Sequence, residues 1–291
     1  MNARARTPFE VVAVGALFAI VAIEILVTYW RLPASELYHV SGTGLEGGAS
    51  RVLVYLNFPA ALVAVAVLIL AYEKARVVAA AGIALCAVVV APGVVSEADL
   101  DAKWINALPA LGVALAVALS AGLPERPAPA TRTDSVRAGI ALGTLALAVP
   151  WLAADLGLSF NGVPVLGTLW QSGEPRTQPG LPGLHPAVHH GHHHGMDGAL
   201  LVWSALVLSR VAGQRRLLGA YLALMLAYGL GEIASDFWLE QVVKRGWTAW
   251  SIPDVTRPSL SIAWGVIVLG AGAVYAASRS TSSSATTGSA A

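Results

Sequence analysis

The composition of the chain is that of a membrane protein and excludes an ordinary soluble domain. Of its 291 residues, 56% are hydrophobic and only 12% are charged, whereas soluble domains average roughly 45–50% apolar and about 25% charged residues. The 18 Lys and Arg nearly balance the 17 Asp and Glu, for a net charge of +1, so we expect no basic surface for nucleic acid. The lone Cys86 excludes an intrachain disulfide and a thiolate zinc site.

Eight apolar stretches predict an all-α, polytopic integral membrane helical bundle. A membrane-spanning helix needs about 20 mostly apolar residues. In chain order the stretches run roughly over residues 9–29, 52–72, 77–95, 105–123, 138–158, 199–211, 217–237 and 260–277. The sixth is short unless it begins earlier, near Pro186. We expect one transmembrane domain over residues 1–279, followed by a disordered polar tail over residues 280–291.

The distribution of Lys and Arg predicts which helix ends face the cytoplasm, because short cytoplasmic loops carry an excess of cations. Eleven cations lie on the side of both termini: Arg4, Arg6, Lys74, Arg76, Arg126, Arg132, Arg137, Arg210, Arg215, Arg216 and Arg279. Seven lie on the opposite side: Arg31, Arg51, Lys103, Arg176, Lys244, Arg245 and Arg257. We therefore expect a multi-pass protein of the cell membrane with both termini in the cytoplasm.

The two halves of the chain share a spacing that suggests an internal duplication. Arg6 precedes Glu24 by 18 residues, and Arg137 precedes Asp155 by 18 residues. A pair of carboxylates four residues apart also closes the third and the seventh stretch. These recurrences predict a 4+4 repeat in parallel topology, with halves at residues 1–123 and 137–279. The alternative is that two spacings match by chance.

Six of the seven histidines lie in one stretch, HPAVHHGHHHGMDG, on the predicted extracytoplasmic side. Every fourth residue of the stretch can bind a metal: His185, His189, His193 and Asp197. Residues four apart share one face of a helix, and Pro186 suits a first helical position. A helix that begins there would align these side chains. Imidazoles with a carboxylate suit divalent zinc, iron or copper.

Other interpretations of this histidine-rich stretch remain open. His190 and His194 form a neighbouring stripe that could support the first or bind another ion. Gly191 and Gly195 each cost a helix about 1 kcal/mol relative to Ala, which favours a loop with irregular ligand geometry. A solvated histidine-rich loop can also capture metal ions loosely or titrate near neutral pH, or it can have no function.

Four acids in the outer third of their spans are candidates to complete the metal site: Glu24, Asp155, Glu232 and Asp236. An ionisable side chain at that depth costs a few kcal/mol and normally faces a partner or a water-filled cavity. Glu232 and Asp236 are four residues apart and share a helix face. The alternatives are that Asp236 is solvated at the interface, or that these acids pair with Arg31, Arg51 or Arg257.

This one-sided polarity favours a pocket over a permeation path, because a transporter of ions should line a route through the whole bilayer. We expect a metal-dependent hydrolase or oxidoreductase that acts on a lipid or other hydrophobic substrate from the outer leaflet. Glu232 is the expected general base, with Asp236 beside it. The alternatives are a transition-metal transporter or metal-delivery protein that captures ions with the histidines, and an accessory subunit of a membrane complex.

Overall fold

The computed structural model describes residues 7–31, 40–96, 99–123, 133–155, 175–177, 184–186, 193–213, 215–253, 255–256 and 258–287. Residues 149–155, 175–177, 184–186, 193–194 and 280–287 are described by their backbone alone. Helices make up most of the described chain.

The described residues of the first half of the chain form mostly apolar helices. Helix α1 covers Phe9–Arg31. Helix α2 (Gly44–Arg51), a π-helical turn (Val52–Leu56) and helix α3 (Asn57–Ala71) follow one another without a break. Helix α4 (Arg76–Ala87) ends in a 3₁₀ turn (Val88–Val90), and another 3₁₀ turn (Trp104–Asn106) leads into helix α5 (Ala107–Ser120). The chain leaves the helical conformation after Val90 because Pro92 and Gly93 follow, and Gly93 has a φ of +81°.

In the second half, the histidine-rich stretch begins in a short strand and ends within a helix. Helix α6 covers Thr133–Asp155, and two short strands, β1 (Pro175–Thr177) and β2 (Leu184–Pro186), pair antiparallel. Helix α7 covers His193–Leu208. Helix α8 (Arg216–Trp238) continues into a second π-helical turn (Leu239–Val243), and helix α9 covers Ile262–Thr287.

Each of the eight stretches that the sequence predicts as spans overlaps a helix in the described residues. Among the described residues, four helices are long and apolar enough to cross a membrane: Phe9–Arg31, Gly44–Ala71, Arg216–Val243 and Ile262–Arg279. Shorter apolar helices cover Arg76–Val90, Trp104–Ser120 and Gly195–Leu208. The protein is therefore a helical bundle of membrane type, while the number of eight spans, their orientation and the 4+4 repeat remain predictions.

Helix α3 lies at the centre of the bundle. It packs against α4, α5, α7 and α8, and its residues Ala61, Ala66 and Leu68 are completely buried. Helix α9 packs against α8 and leaves most of its surface open, with Ile262 87% and Leu269 76% exposed. Such apolar outer faces are suited to contact lipid chains, because a membrane helix needs no polar outer surface.

Two details differ from the sequence-based expectation. Pro186 lies in a strand and not at the start of a helix: it is the last residue of β2, where the extended backbone pairs with Pro175, and the described part of α7 starts at His193. The single helical stripe from His185 to Asp197 is therefore wrong, because strand pairing holds His185 in an extended conformation. The C-terminal segment expected to be disordered is helical up to Thr287.

Candidate functional site

Four of the predicted site residues have described side chains, and all four are buried. The exposed fraction is 8% for Glu24 in α1, 3% for Asp197 in α7, 1% for Glu232 and 4% for Asp236 in α8. The remaining predicted residues are described less fully. His193 is the first residue of α7, Asp155 the last of α6, and His185 lies in β2, each by its backbone alone; His189 lies outside the described residues.

Two glycines bring Asp197 and Glu232 together. Gly198 follows Asp197 in α7, and Gly229 precedes Glu232 by one helical turn in α8. A Cβ atom on Gly198 would lie 2.5 Å from the carbonyl oxygen of Gly229, so any larger residue would push the helices apart. Small residues at a crossing allow membrane helices to approach this closely. The approach places the two neighbouring carboxylates in one cavity.

The cavity has a volume of about 50 Å³. It is called here the outer pocket, after the extracytoplasmic side on which the sequence predicts it to lie. Asp197 and Glu232 line it together with Tyr55, Phe58, Val89, Val90, Ala91, Val95, Thr256 and Pro258. One water molecule needs roughly 10–15 Å³ of such space. The outer pocket can therefore hold an ion with a few water molecules, whereas a lipid chain does not fit inside it.

A buried arginine lies near the outer pocket, in contact with Tyr55 of its lining. Arg51 is only 3% exposed, and its Nη1 atom donates a 2.6 Å hydrogen bond to the hydroxyl oxygen of Tyr29. Its guanidinium lies 5.3 Å from the ring centres of both Tyr29 and Tyr55, within the range of cation–π attraction. Tyr55 interacts electrostatically with Asp197, Arg51 and Glu232, which links the arginine to both carboxylates.

The π-helical turn that follows Arg51 sets the direction of the Tyr55 side chain relative to that of Arg51. Tyr55 lies within this turn, Val52–Leu56. A π turn inserts an extra residue into the helix and changes the direction of the side chains around it, and such turns are frequent at functional sites. A regular helix extrapolated from the sequence would give these side chains a different register.

Tyr228 contacts both Glu232 and Thr256, two residues that line the pocket. Its hydroxyl donates to Glu232 Oε1 at 2.7 Å and lies 3.0 Å from the carbonyl oxygen of Thr256. The ring of Tyr228 stacks on Trp264 at 5.3 Å, and Trp264 Nε1 donates to the carbonyl oxygen of Val255 at 3.1 Å. The carboxyl group of Glu232 is thus fixed in position by a side chain one turn away.

The other two acids lie close to this region without belonging to the pocket lining described above. Asp236 is one turn beyond Glu232 in α8. Glu24 lies on the part of α1 where Val21 and Ile25 pack against Met196 and Leu200 of α7. The structure therefore brings Asp197 and Glu232 into one cavity and leaves Glu24 and Asp236 as buried neighbours.

Buried charge is confined to one end of the described bundle. The charged side chains that are buried are Glu24, Arg51, Asp197, Glu232, Asp236 and Glu240. They lie at the C-terminal ends of α1 and α8 and its π turn, and at the beginning of α7 and of the helix formed by α2 and α3. These ends correspond to the predicted extracytoplasmic side, in agreement with the one-sided polarity of the sequence.

Within the described side chains, no three His, Cys, Asp or Glu groups come close enough together to hold a metal ion. Asp197 and Glu232 supply two carboxylates, and the predicted histidine ligands lie outside the side chains that the structure describes. Sequence reasoning identified both carboxylates but missed Tyr55 and Tyr228, whose roles depend on contacts between helices; Arg51 was foreseen only as one of three arginines that could pair with an acid.

No protein-family model, no curated protein and no solved structure matches this chain. The architecture and the outer pocket thus define its class, a membrane-type helical bundle with a buried acidic site, without assigning it to a family.

Proposed function

We propose that the protein is an integral membrane enzyme that uses a divalent transition-metal ion, zinc, iron or copper, in the outer pocket. The observation that supports the proposal is the meeting of Asp197 and Glu232, from two different helices, in one cavity of about 50 Å³. Asp197 would be a metal ligand together with histidines of HPAVHHGHHHGMDG. Glu232 would be the general base.

The burial of the two carboxylates supports a cationic ligand. Ionised groups removed from water are costly unless they are paired or bind a metal, and the charged side chains buried in the described part of the chain are five acids and one arginine, Arg51. A divalent ion would offset the remaining negative charge. A volume of about 50 Å³ suits an ion with a few water molecules.

The positions of Asp197 and Glu232 support the roles proposed for them. Asp197 lies one helical turn after His193 in α7, so this carboxylate and the predicted ligand His193 belong to the same helix. Glu232 approaches from α8 and is oriented by Tyr228. A base must be held within reach of the water whose proton it removes, and a metal ion makes that water more acidic. Asp236 would support Glu232 from the next turn.

The one-sided distribution of buried charge supports an enzyme more than a transporter. Ion transport needs polar groups along the whole route through the bilayer. In the described part of the chain, the buried side chains of the opposite half that carry polar groups are Thr144 and Ser204. Hydroxyl groups alone replace the hydration of a divalent ion poorly, so the pocket is better suited to bind an ion and retain it.

The metal content of the purified protein tests the proposal. We expect the wild type to retain close to one zinc, iron or copper ion per chain after dialysis, and Asp197→Asn and His193→Ala to lose most of it. Glu232→Gln should retain the metal but should form no product when the protein is incubated with a total lipid extract and the lipids are followed by mass spectrometry.

Asp99→Asn is the matched control, because Asp99 is an exposed outer acid that pairs with Lys103 at 2.7 Å and lies outside the pocket. It should retain both metal and activity. A metal-free wild type, or an Asp197→Asn variant with the full metal content and an unchanged unfolding midpoint, would contradict the proposal.

A further inference from the structure

The mouth of the outer pocket lies between two helix ends. The end of α4 contributes Val89, Val90 and Ala91, and the segment before α9 contributes Thr256 and Pro258. Val90 is 47% exposed, and Ala91 and Pro258 are also exposed. The mouth is therefore bordered mainly by apolar groups, whereas the carboxylates of Asp197 and Glu232 form the floor.

The α9 side of the mouth is firmly attached to the bundle. Trp264 of α9 donates a hydrogen bond to the carbonyl oxygen of Val255, and Tyr228 of α8 lies 3.0 Å from that of Thr256. The two aromatic rings stack on each other. The Tyr228 hydroxyl also binds Glu232. Tyr228 therefore fixes the position of the apolar border relative to the acidic floor.

Apolar surface continues from this border along α9. Ile262, Val266 and Leu269 are 87%, 63% and 76% exposed, and α9 is one of the helices long and apolar enough to cross a membrane. Trp247 and Trp250, in the connection between α8 and α9, are 72% and 60% exposed. Exposed tryptophans at a helix end favour the headgroup layer of a membrane, which places the mouth at the depth where headgroups meet acyl chains.

We infer that the outer pocket receives a membrane lipid sideways, past Val90 and Pro258, two exposed residues that line it. The reacting polar group of the lipid reaches Asp197 and Glu232, and its acyl chain remains outside, along the exposed face of α9. The size of the cavity supports this arrangement, because about 50 Å³ admits a small polar group and excludes the chain. The inference rests on the proposed function for the reaction at the floor, but the entrance can be tested separately.

A photoreactive lipid tests the entrance. The full-length protein is reconstituted in phosphatidylcholine vesicles that contain a phosphatidylcholine with a diazirine in its acyl chain, irradiated, digested and analysed by mass spectrometry. We expect labelling at Val90, Pro258 and Ile262 to exceed several-fold that on the lipid-facing side of α1. Ile20 and Ile23 there are 62% and 60% exposed and report ordinary contact with lipid.

Variants that narrow the mouth provide the second part of the test. Val90→Trp and, from the opposite side, Pro258→Trp should each reduce labelling of Ile262 several-fold, whereas Ile20→Trp should leave it unchanged. Thermal unfolding midpoints show which variants are folded, and two independent positions keep the test valid if one of them fails to fold. Labelling at the mouth no stronger than on α1, or insensitive to both substitutions, would overturn the inference.

The metal content of the same samples separates the two proposals. Selective labelling of the mouth in a protein without metal would support the lipid entrance and contradict the proposed metal-dependent function. A metal-loaded protein without selective labelling would contradict the entrance and leave the metal site intact.

Discussion

Gly198 of α7 and Gly229 of α8 lie against each other so closely that a Cβ atom on either would be 2.5 or 2.6 Å from the carbonyl oxygen of the other. The residues next to this contact are those of the pocket: Asp197 precedes Gly198, and Glu232 lies one turn beyond Gly229. The distance between the two helices therefore sets the distance between the two carboxylates. Neither glycine is a proposed metal ligand, but a substitution at either one should alter both the stability of the protein and its metal binding.

Gly229→Ala tests this dependence. The added methyl group must displace backbone, so we expect a loss of about 1–3 kcal/mol, as for other overpacked sites, together with weaker metal retention. Gly265→Ala in α9 is the matched control, because a Cβ there would meet nothing within 4 Å. It should keep or slightly raise stability, since Ala favours a helix over Gly by about 1 kcal/mol. Unfolding midpoints in detergent measure both, and equal midpoints for the two variants would contradict the packing argument.

The sequence predicted the positions of the helices well, because long apolar runs determine where a membrane helix forms. It also singled out Asp197, by its spacing from the histidines, and Glu232, because an acid within a span is costly and normally faces a partner or a cavity. It could not predict that α7 and α8 cross at Gly198 and Gly229, because a small residue looks the same in the sequence whether it faces lipid or another helix. The pairing of residues between helices depends on their rotation, which spacing along one helix does not determine.

In the histidine-rich stretch the sequence-based prediction failed in a different way, because it assigned a helix where the structure has a strand. The four-residue spacing from His185 to Asp197 was interpreted as a helix, and Pro186 as its first residue. Pairing between β1 and β2 extends the chain at Pro186 instead. Strand pairing depends on contacts with a second segment, here the preceding strand β1, which the spacing of the histidines does not reveal. Within the described residues of the stretch, the turn from His193 to Asp197 is helical.

Arg51 should be essential for the stability of the acidic site. Arg51 is 3% exposed and its charge acts on Tyr55 together with those of Asp197 and Glu232, and leaving buried charges without an opposite charge is strongly destabilising, so we expect Arg51→Met to unfold at a clearly lower temperature. Arg51→Lys should be intermediate, since lysine keeps the charge but lacks the flat guanidinium that stacks on Tyr29 and Tyr55. Arg76→Met, at an exposed arginine of α4, is the control. Equal stability of Arg51→Met and the control would show that the arginine is not coupled to the carboxylates.

At the other end of the bundle, Arg210 joins three helices. Its guanidinium contacts Asp134 of α6 at 2.8 Å and Glu10 of α1 at 3.3 Å, just beyond the end of α7. The hydrogen bonds to Asp134 and Glu10 raise the pKa of Arg210 above its ordinary value. Because a raised pKa stabilises the charged form, the contribution of Arg210 should be fully present at neutral pH and persist into the alkaline range, until the pH exceeds that pKa.

We therefore expect Arg210→Gln to lower the unfolding midpoint modestly, by the same amount at pH 7 and at moderately alkaline pH. High salt should reduce the difference, since the pairs are partly exposed and are screened. Arg76→Gln, which alters an exposed arginine near the same end, should change the midpoint less. A difference between wild type and Arg210→Gln that disappears on going to moderately alkaline pH would contradict the assignment of this stabilisation to the ion pairs.

The orientation of the bundle can be tested with reporter fusions. The ion pairs of Arg210 with Glu10 and of Arg215 with Glu73 gather one set of helix ends together, and this end carries the excess of Lys and Arg that predicts the cytoplasmic side. Alkaline phosphatase, which is active only outside the cytoplasm, should be active when fused after Thr177 and inactive after Gly213. Green fluorescent protein should show the reverse pattern. An inactive phosphatase after Thr177, with fluorescence there instead, would place the histidine-rich stretch and the outer pocket on the cytoplasmic side, so that any lipid substrate would come from the inner leaflet.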